Sequence, residues 1–192
     1  MKTGLLGGTF DPIHTGHLIV AETVRSDFGL DRVVFVPTSI PPHKPEGPEA
    51  DSESRYRMVQ LAVNGHDGFS VSDAEIRRGG VSYTLDTLKG FHQSEPGNAF
   101  YLIVGMDSLI DMSHWKKPEA VFELATVLVA SRPGFNDSQA ESWIKVKAIM
   151  VPTPRMDISS SEIRNRIRCG KSIRFWIPAS VEQYIKLKGL YR

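Results

Sequence analysis

The sequence predicts an α/β protein built on a doubly wound parallel sheet. Three observations carry that expectation. Short apolar runs alternate with helical patterns along the whole chain, the signature of strand–helix–strand units. Those runs are almost continuously apolar rather than alternating, as strands buried on both faces require. No internal repeat, low-complexity stretch or composition shift divides the 192 residues, a length that fits one domain with a substantial core.

The elements follow in order. Leu5-Leu6 opens the strand series, and Gly7-Gly8-Thr9-Phe10-Asp11-Pro12-Ile13-His14-Thr15-Gly16-His17 forms a tight, glycine-bearing turn. A helix near 16–28 carries Leu18, Ile19, Ala21, Val24 and Phe28 at helical spacing. Val33-Val34-Phe35-Val36 is the second strand, and the proline-rich loop 37–50 after it reads as a guided flap. Helices near 53–64, 84–93, 118–125 and 138–146 alternate with strands at Phe69-Ser70-Val71, Phe100 to Val104, Val127-Leu128-Val129 and Ile149-Met150-Val151. Two helices close the chain. The first, roughly 160–169, has Ser159-x-x-Glu162 as a capping box and Gly170 as its stop. The second starts near Pro178 and ends at Gly189, burying Val181, Tyr184, Ile185 and Leu187. Together these predict a Rossmann-like doubly wound parallel sheet with helices on both faces and a C-terminal helical segment, one domain over 1–192. Right-handed crossovers place every strand-to-helix loop on one edge, where open α/β sheets bind ligands.

Composition excludes several classes. Lys+Arg number 23 and Asp+Glu 22, a formal charge of +1, so no global field draws nucleic acid or an anionic membrane. The single cysteine, Cys169, allows no internal disulfide, and there is no Cys-x-x-Cys for zinc or redox chemistry. A reducing cytoplasm is the expected home. Glycines and Asp11 interrupt the N-terminal region before a signal h-region forms, and no apolar run approaches the roughly 20 residues of a membrane span.

Function is expected to lie in a few clusters. His14 and His17 sit where the first helix begins, and a helix N-terminus already attracts phosphate through unpaired N–H groups and its dipole. Local capping by one histidine is the plain alternative; zinc needs further ligands that the sequence does not nominate. Gly7 and Gly8 suit a backbone that approaches a ligand closely or adopts positive φ, and Gly16 suits close approach. In Ile158-Ser159-Ser160-Ser161-Glu162-Ile163-Arg164, three hydroxyls exceed a cap's needs, and Arg164 in a first turn opposes the dipole unless an anion is present. This segment reads as a second phosphate-binding helix start, with Arg164 as clamp. Pro41-Pro42-His43-Lys44 is either a solvated loop or a phosphate contact. Asp107 is either a ribose ligand or a helix cap. Trp115 is either a core residue, the usual place of tryptophan, or, given its flanking His114, Lys116 and Lys117, a partly exposed stacking platform. Tyr83-Thr84-Leu85-Asp86-Thr87 starts a helix at the same edge with Thr84 as its cap, and Trp143 and Trp176 are packing residues.

Assembled, these segments resemble the nucleotidyltransferase superfamily marked by an HxGH phosphate motif, and within it the bacterial nicotinate-nucleotide adenylyltransferases. The likeness covers nearly the whole chain. Besides the segments above, it takes in Val36-Pro37, Ser82 with Tyr83-Thr84, Gly105-Met106-Asp107-Ser108-Leu109, Ser131-Arg132-Pro133-Gly134 and Pro178 to Tyr191. Ser161 where threonine is frequent and Ile13 where proline is frequent are small departures. The resemblance implies transfer of the adenylyl group of ATP to nicotinate mononucleotide, giving nicotinate adenine dinucleotide and pyrophosphate. It implies His14, His17 and Arg164 on the triphosphate as the catalytic set. Gly7, Gly8, Thr9, Phe10, Arg132, Ile158, Ser159 and Ser160 would bind ATP; His43, Lys44, Tyr83, Thr84, Asp107 and Trp115 would bind nicotinate mononucleotide. Magnesium would arrive bound mainly through the ATP phosphates, with no protein metal site. No nucleic-acid or membrane partner is expected, and a homo-oligomer stays open. The alternatives are an adenylyltransferase preferring nicotinamide mononucleotide or phosphopantetheine, and a non-catalytic nucleotide sensor.

Overall fold

In the computed structural model, residues 1–42, 47–131 and 140–192 are described. Among the described residues the strands lie in one sheet of six, every neighbouring pair parallel. They are β1 (Lys2–Gly8), β2 (Arg32–Pro37), β3 (Phe69–Val71), β4 (Ala99–Gly105), β5 (Thr126–Ser131) and β6 (Ile149–Pro152), in the order β3-β2-β1-β4-β5-β6. This is the doubly wound Rossmann-like order, in which the chain reverses direction across the sheet between β1 and β4. Leu5 pairs with both Val34 and Leu102, so the apolar runs read from sequence are in register at the centre. Their side chains point to both faces, and each face has its own core. One contains Leu6, Phe35, Ile103 and Leu128; the other contains Leu5, Val34, Leu102 and Val129.

The helices cover those faces. α1 (Thr15–Asp27), α2 (Ser52–Val63), α8 (Ser160–Arg168) and α9 (Ala179–Lys188) supply Val24, Met58, Ile163 and Val181 to the first core. α4 (Thr84–Ser94), α5 (Met106–Asp111), α6 (Pro118–Leu124) and α7 (Ser142–Lys147) supply Leu88, Leu109, Val121 and Ile144 to the second. Trp143 and Trp176 pack, half-buried, against these cores as expected.

Several local expectations need correction. α3 (Ala74–Arg78) has no counterpart in the sequence reading, being too short for helical periodicity to register. α7 begins at Ser142, with Glu141 in extended conformation as its N-cap, later than the expected start at 138. Thr84 is the first residue of α4 rather than its cap; Tyr83 holds that place without a side-chain bond. Asp107 likewise lies within the first turn of α5, and Gly105 is the N-cap. α9 starts and stops as expected, with Pro178 as N-cap and Gly189 as C-cap, but Leu187 is exposed and not part of its buried stripe.

Candidate active site

A cavity of about 600 Å³ opens at the carboxyl ends of β1 and β4. It lies at the switch point, where the loops leaving the two central strands run to opposite faces and part. Gly7 and Gly8 end β1 in its wall, and Gly105, Met106 and Asp107 continue β4 on the other side. A Cβ on Gly7 would meet nothing within 4 Å, so the backbone there is open to whatever fills the cavity. Gly8 is needed for another reason: its Cβ would stand 2.9 Å from the Phe10 ring. Neither has positive φ; the left-handed residue of this turn is Phe10, at φ 49° with its ring buried. The strain of that conformation is held by packing against Phe35.

The turn delivers the histidines as a unit. His14 is the extended N-cap of α1, and its N–H donates to His17 Nδ1 at 3.2 Å. The His17 N–H returns to the His14 carbonyl at 3.0 Å. Their rings stack 3.7 Å apart, with the Phe10 edge 5.1 Å from His17. With Nδ1 accepting, the neutral His17 ring carries its proton on Nε2, a donor suited to a phosphate oxygen. The close approach at Gly16 is to His14: a Cβ would lie 3.0 Å from its Nδ1.

The β1–α1 loop is pinned from behind by groups the sequence reading missed. Arg55 is fully buried and donates to the carbonyls of Thr9 at 2.7 Å, Ser39 at 3.0 Å and Ala50 at 3.1 Å. Burial pushes its pKa down, opposed by the nearby Asp11 carboxylate. Asp11 accepts from the N–H groups of Glu49 and Ala50 and from the Tyr191 hydroxyl. The available signal was Arg55 itself, one turn from Met58 and Val59 on the buried stripe of α2.

α8 starts against the same loop. Ser159 Oγ caps the helix by accepting from Glu162 N–H at 3.2 Å. Ser160 Oγ donates to the Pro12 carbonyl at 2.9 Å, joining this helix start to the histidine loop. Two of the three hydroxyls therefore have structural partners, although Ile158, Ser159 and Ser160 all line the cavity. Arg164 is not in the cavity wall. Its Nη1 donates to the Asp11 carbonyl at 2.8 Å and its Nε to Glu49 at 2.7 Å, and Arg168 pairs with the same carboxylate. Those two guanidinium groups hold the Glu49 carboxyl below the usual carboxylate range.

The remaining wall brings together Tyr83, Thr84, Asp107 and Trp115 with Thr9, Thr38 and Glu75. Trp115 is half-buried against the second core, while Lys116 Nζ stands 4.6 Å from the Tyr83 ring and pairs with Asp86 at 2.9 Å. Phe10 supports the site rather than lining it. His43, Lys44 and Arg132 lie outside the described residues.

A switch-point cavity with a histidine-capped helix at its edge defines a nucleotide-handling α/β enzyme. Residues 5–166 match the Cytidylyltransferase-like family, and the chain belongs to it. Within that class the likeness narrows. The chain is 43% identical to the "Probable nicotinate-nucleotide adenylyltransferase" of Geotalea uraniireducens, covering 100% of this chain and 98% of that protein. It is 41% identical to the protein of the same name from Salinibacter ruber, again over 100% and 98%. It therefore belongs with the nicotinate-nucleotide adenylyltransferases, a family of nucleotidyltransferases. Its fold matches the solved structure of Plasmodium falciparum nicotinic acid mononucleotide adenylyltransferase complexed with NaAD, with TM-score 0.81 at 21% identity over 100% and 98% of the two chains.

Proposed function

We propose that this protein transfers the adenylyl group of ATP to nicotinate mononucleotide in the synthesis of NAD. The observation that carries the reading is the His14–His17 pair at the start of α1, beside the open Gly7 backbone, in a chain of this family. The acceptor's 5′-phosphate oxygen attacks the α-phosphorus, the α–β bridging P–O bond breaks, and pyrophosphate leaves with that electron pair. A phosphate nucleophile is mostly dianionic near neutral pH, its second pKa being about 6, so no general base is required. Catalysis then rests on in-line positioning and on donors placed where negative charge builds up. His17 Nε2–H, the N–H groups at the start of α1 and the backbone at Gly7 and Gly8 are suited to that work.

The outer parts of the site follow the same reading. Ile158, Ser159 and Ser160 border the ATP end with Thr9. Tyr83, Thr84, Asp107 and Trp115 take the acceptor: Trp115 stacks on the pyridine ring and Asp107 accepts from a ribose. Arg164 reaches the triphosphate by exchanging Glu49 for a phosphate oxygen, while His43 and Lys44 serve the acceptor's phosphate and Arg132 the adenine. Magnesium fits as an ion carried in on the phosphates. Phosphate oxygens and water would supply most of its ligands, as is usual for magnesium at nucleotide sites. No helix of the described residues is long and apolar enough to cross a membrane. The single cysteine, Cys169, suits a reducing compartment, and on that ground we place the enzyme in the cytoplasm.

The test is pyrophosphate release from ATP and magnesium with nicotinate mononucleotide, nicotinamide mononucleotide or phosphopantetheine as acceptor. Fastest release with nicotinate mononucleotide is expected. Faster release with either of the others, or nucleotide binding without release, would overturn the reading.

A further inference from the structure

The cavity wall contains buried polar atoms that nothing among the described residues satisfies. Glu75, on α3, is only 5% exposed. Its Oε1 accepts from the Thr87 hydroxyl at 2.5 Å, but its Oε2 is buried without a hydrogen-bond partner among the described residues. Thr38, just beyond the end of β2, has a buried hydroxyl in the same condition. Both residues line the cavity, from the carboxyl ends of the neighbouring strands β2 and β3. The segment after Thr38 is tied to the one leading into α4: Ser39 N–H donates to Ser82 Oγ at 2.9 Å, and Ser82 N–H to the Ile40 carbonyl at 2.9 Å. A buried acceptor left empty costs free energy, and a carboxylate oxygen costs more than most.

We infer that Glu75 Oε2 and the Thr38 hydroxyl form a subsite for a ribose hydroxyl of the acceptor mononucleotide. This rests on the function proposed above. An acceptor-only carboxylate repels the two anionic groups of nicotinate mononucleotide, its ring carboxylate and its phosphate. The groups of that molecule that can donate are the ribose hydroxyls. A hydroxyl can donate to Glu75 and at the same time accept from Thr38. Placement favours the acceptor over ATP: Thr87, which orients Glu75, lies in the first turn and a half of α4, the helix that begins at Tyr83-Thr84. Thr87 is itself steadied by Arg78 Nη2 at 3.2 Å, so the carboxylate is aimed before substrate arrives.

The experiment measures kcat/KM for nicotinate mononucleotide and its 2′-deoxy and 3′-deoxy analogues, and for ATP against 2′-deoxyATP and 3′-deoxyATP. The wild type, Glu75→Gln and Thr38→Val are compared, with thermal unfolding of each. For the wild type, losing the recognised acceptor hydroxyl should lower kcat/KM by roughly tenfold or more. Glu75→Gln should bring that ratio down to about threefold or less, by weakening the ribo acceptor and leaving the deoxy analogue unchanged. If that variant unfolds early, Thr38→Val carries the same test, because valine keeps the shape and loses the hydroxyl. A fall of equal size on ribo and deoxy acceptors would mean a purely structural role or a resident water, and would overturn the inference. Selectivity lost only between ATP and its deoxy analogues would overturn the acceptor assignment. A wild type that releases no pyrophosphate with nicotinate mononucleotide would instead refute the proposed function, a distinguishable result.

Discussion

The Tyr191 hydroxyl donates to Asp11 Oδ1 at 2.7 Å, tying the segment after α9 to the loop that carries the histidine pair. Two backbone donors, Glu49 N–H at 2.8 Å and Ala50 N–H at 3.1 Å, meet the same carboxylate. The loop before α1 is thus held by residues far away in sequence, and its geometry is a property of the whole fold.

Tyr191→Phe removes one charge-assisted bond and should cost roughly 1.5–3 kcal/mol in chemical unfolding near neutral pH. Burial, and then the Asp11 carboxylate, raise the Tyr191 phenol above its ordinary value of about 10. A raised folded-state value means the neutral form is favoured, so the contribution is complete below pH of about 10 and is lost as pH climbs further. The gap between wild type and Tyr191→Phe should therefore hold steady through neutral pH and narrow only as pH rises past about 10. A gap that stays constant would contradict this.

Arg55→Met leaves the carbonyls of Thr9, Ser39 and Ala50 without their donors in a buried place. The expected loss is roughly 3 kcal/mol or more, read from denaturant midpoints. A loss under about 1 kcal/mol would show that water replaces the guanidinium.

Gly16→Ala separates helix stability from site geometry. Alanine gains at most about 1 kcal/mol in helix propensity, but its Cβ would crowd His14 Nδ1 at 3.0 Å. Turnover should fall by about tenfold or more while the melting temperature stays close to wild type. Wild-type turnover would mean that the His14 ring can shift without consequence.

Glu49 links Arg164 and Arg168, which depress its carboxyl pKa. With a depressed value, its contribution is present above the ordinary carboxylate range and disappears as pH falls through the lowered one. Because Glu49 is 41% exposed at its side chain, that contribution is at most about 1 kcal/mol. Glu49→Gln should therefore unfold slightly earlier than wild type near neutral pH and match it in acid. It should also bind ATP more tightly in equilibrium titration, since Arg164 no longer has to release a carboxylate. Unchanged or weaker ATP binding would argue against Arg164 meeting phosphate.

The strands were legible because buried parallel strands write themselves as unbroken apolar runs, and Val33 to Val36 and Phe100 to Val104 do so. The histidine loop was legible because chemistry, glycine and a helix start coincide within a few residues. Arg55, Asp11 and Tyr191 were not legible as a group, because their partners lie across the sequence and no local spacing marks them. Glu75 escaped because its helix, Ala74–Arg78, is too short to show a period and its hydrogen-bond partner, Thr87, sits on another helix. Arg164 was picked out by its unfavourable place near a helix start, and the carboxylate that offsets it, Glu49, is supplied by a distant loop.

The central claim is that the His14–His17 pair grips the phosphates of ATP, and pyrophosphate release by His17→Ala tests it most directly. With ATP, magnesium and nicotinate mononucleotide, turnover should fall by about a hundredfold or more, as when a donor to transition-state charge is removed. The melting temperature should stay near wild type, because His17 is only partly buried. Near-wild-type turnover in that variant would contradict the phosphate role.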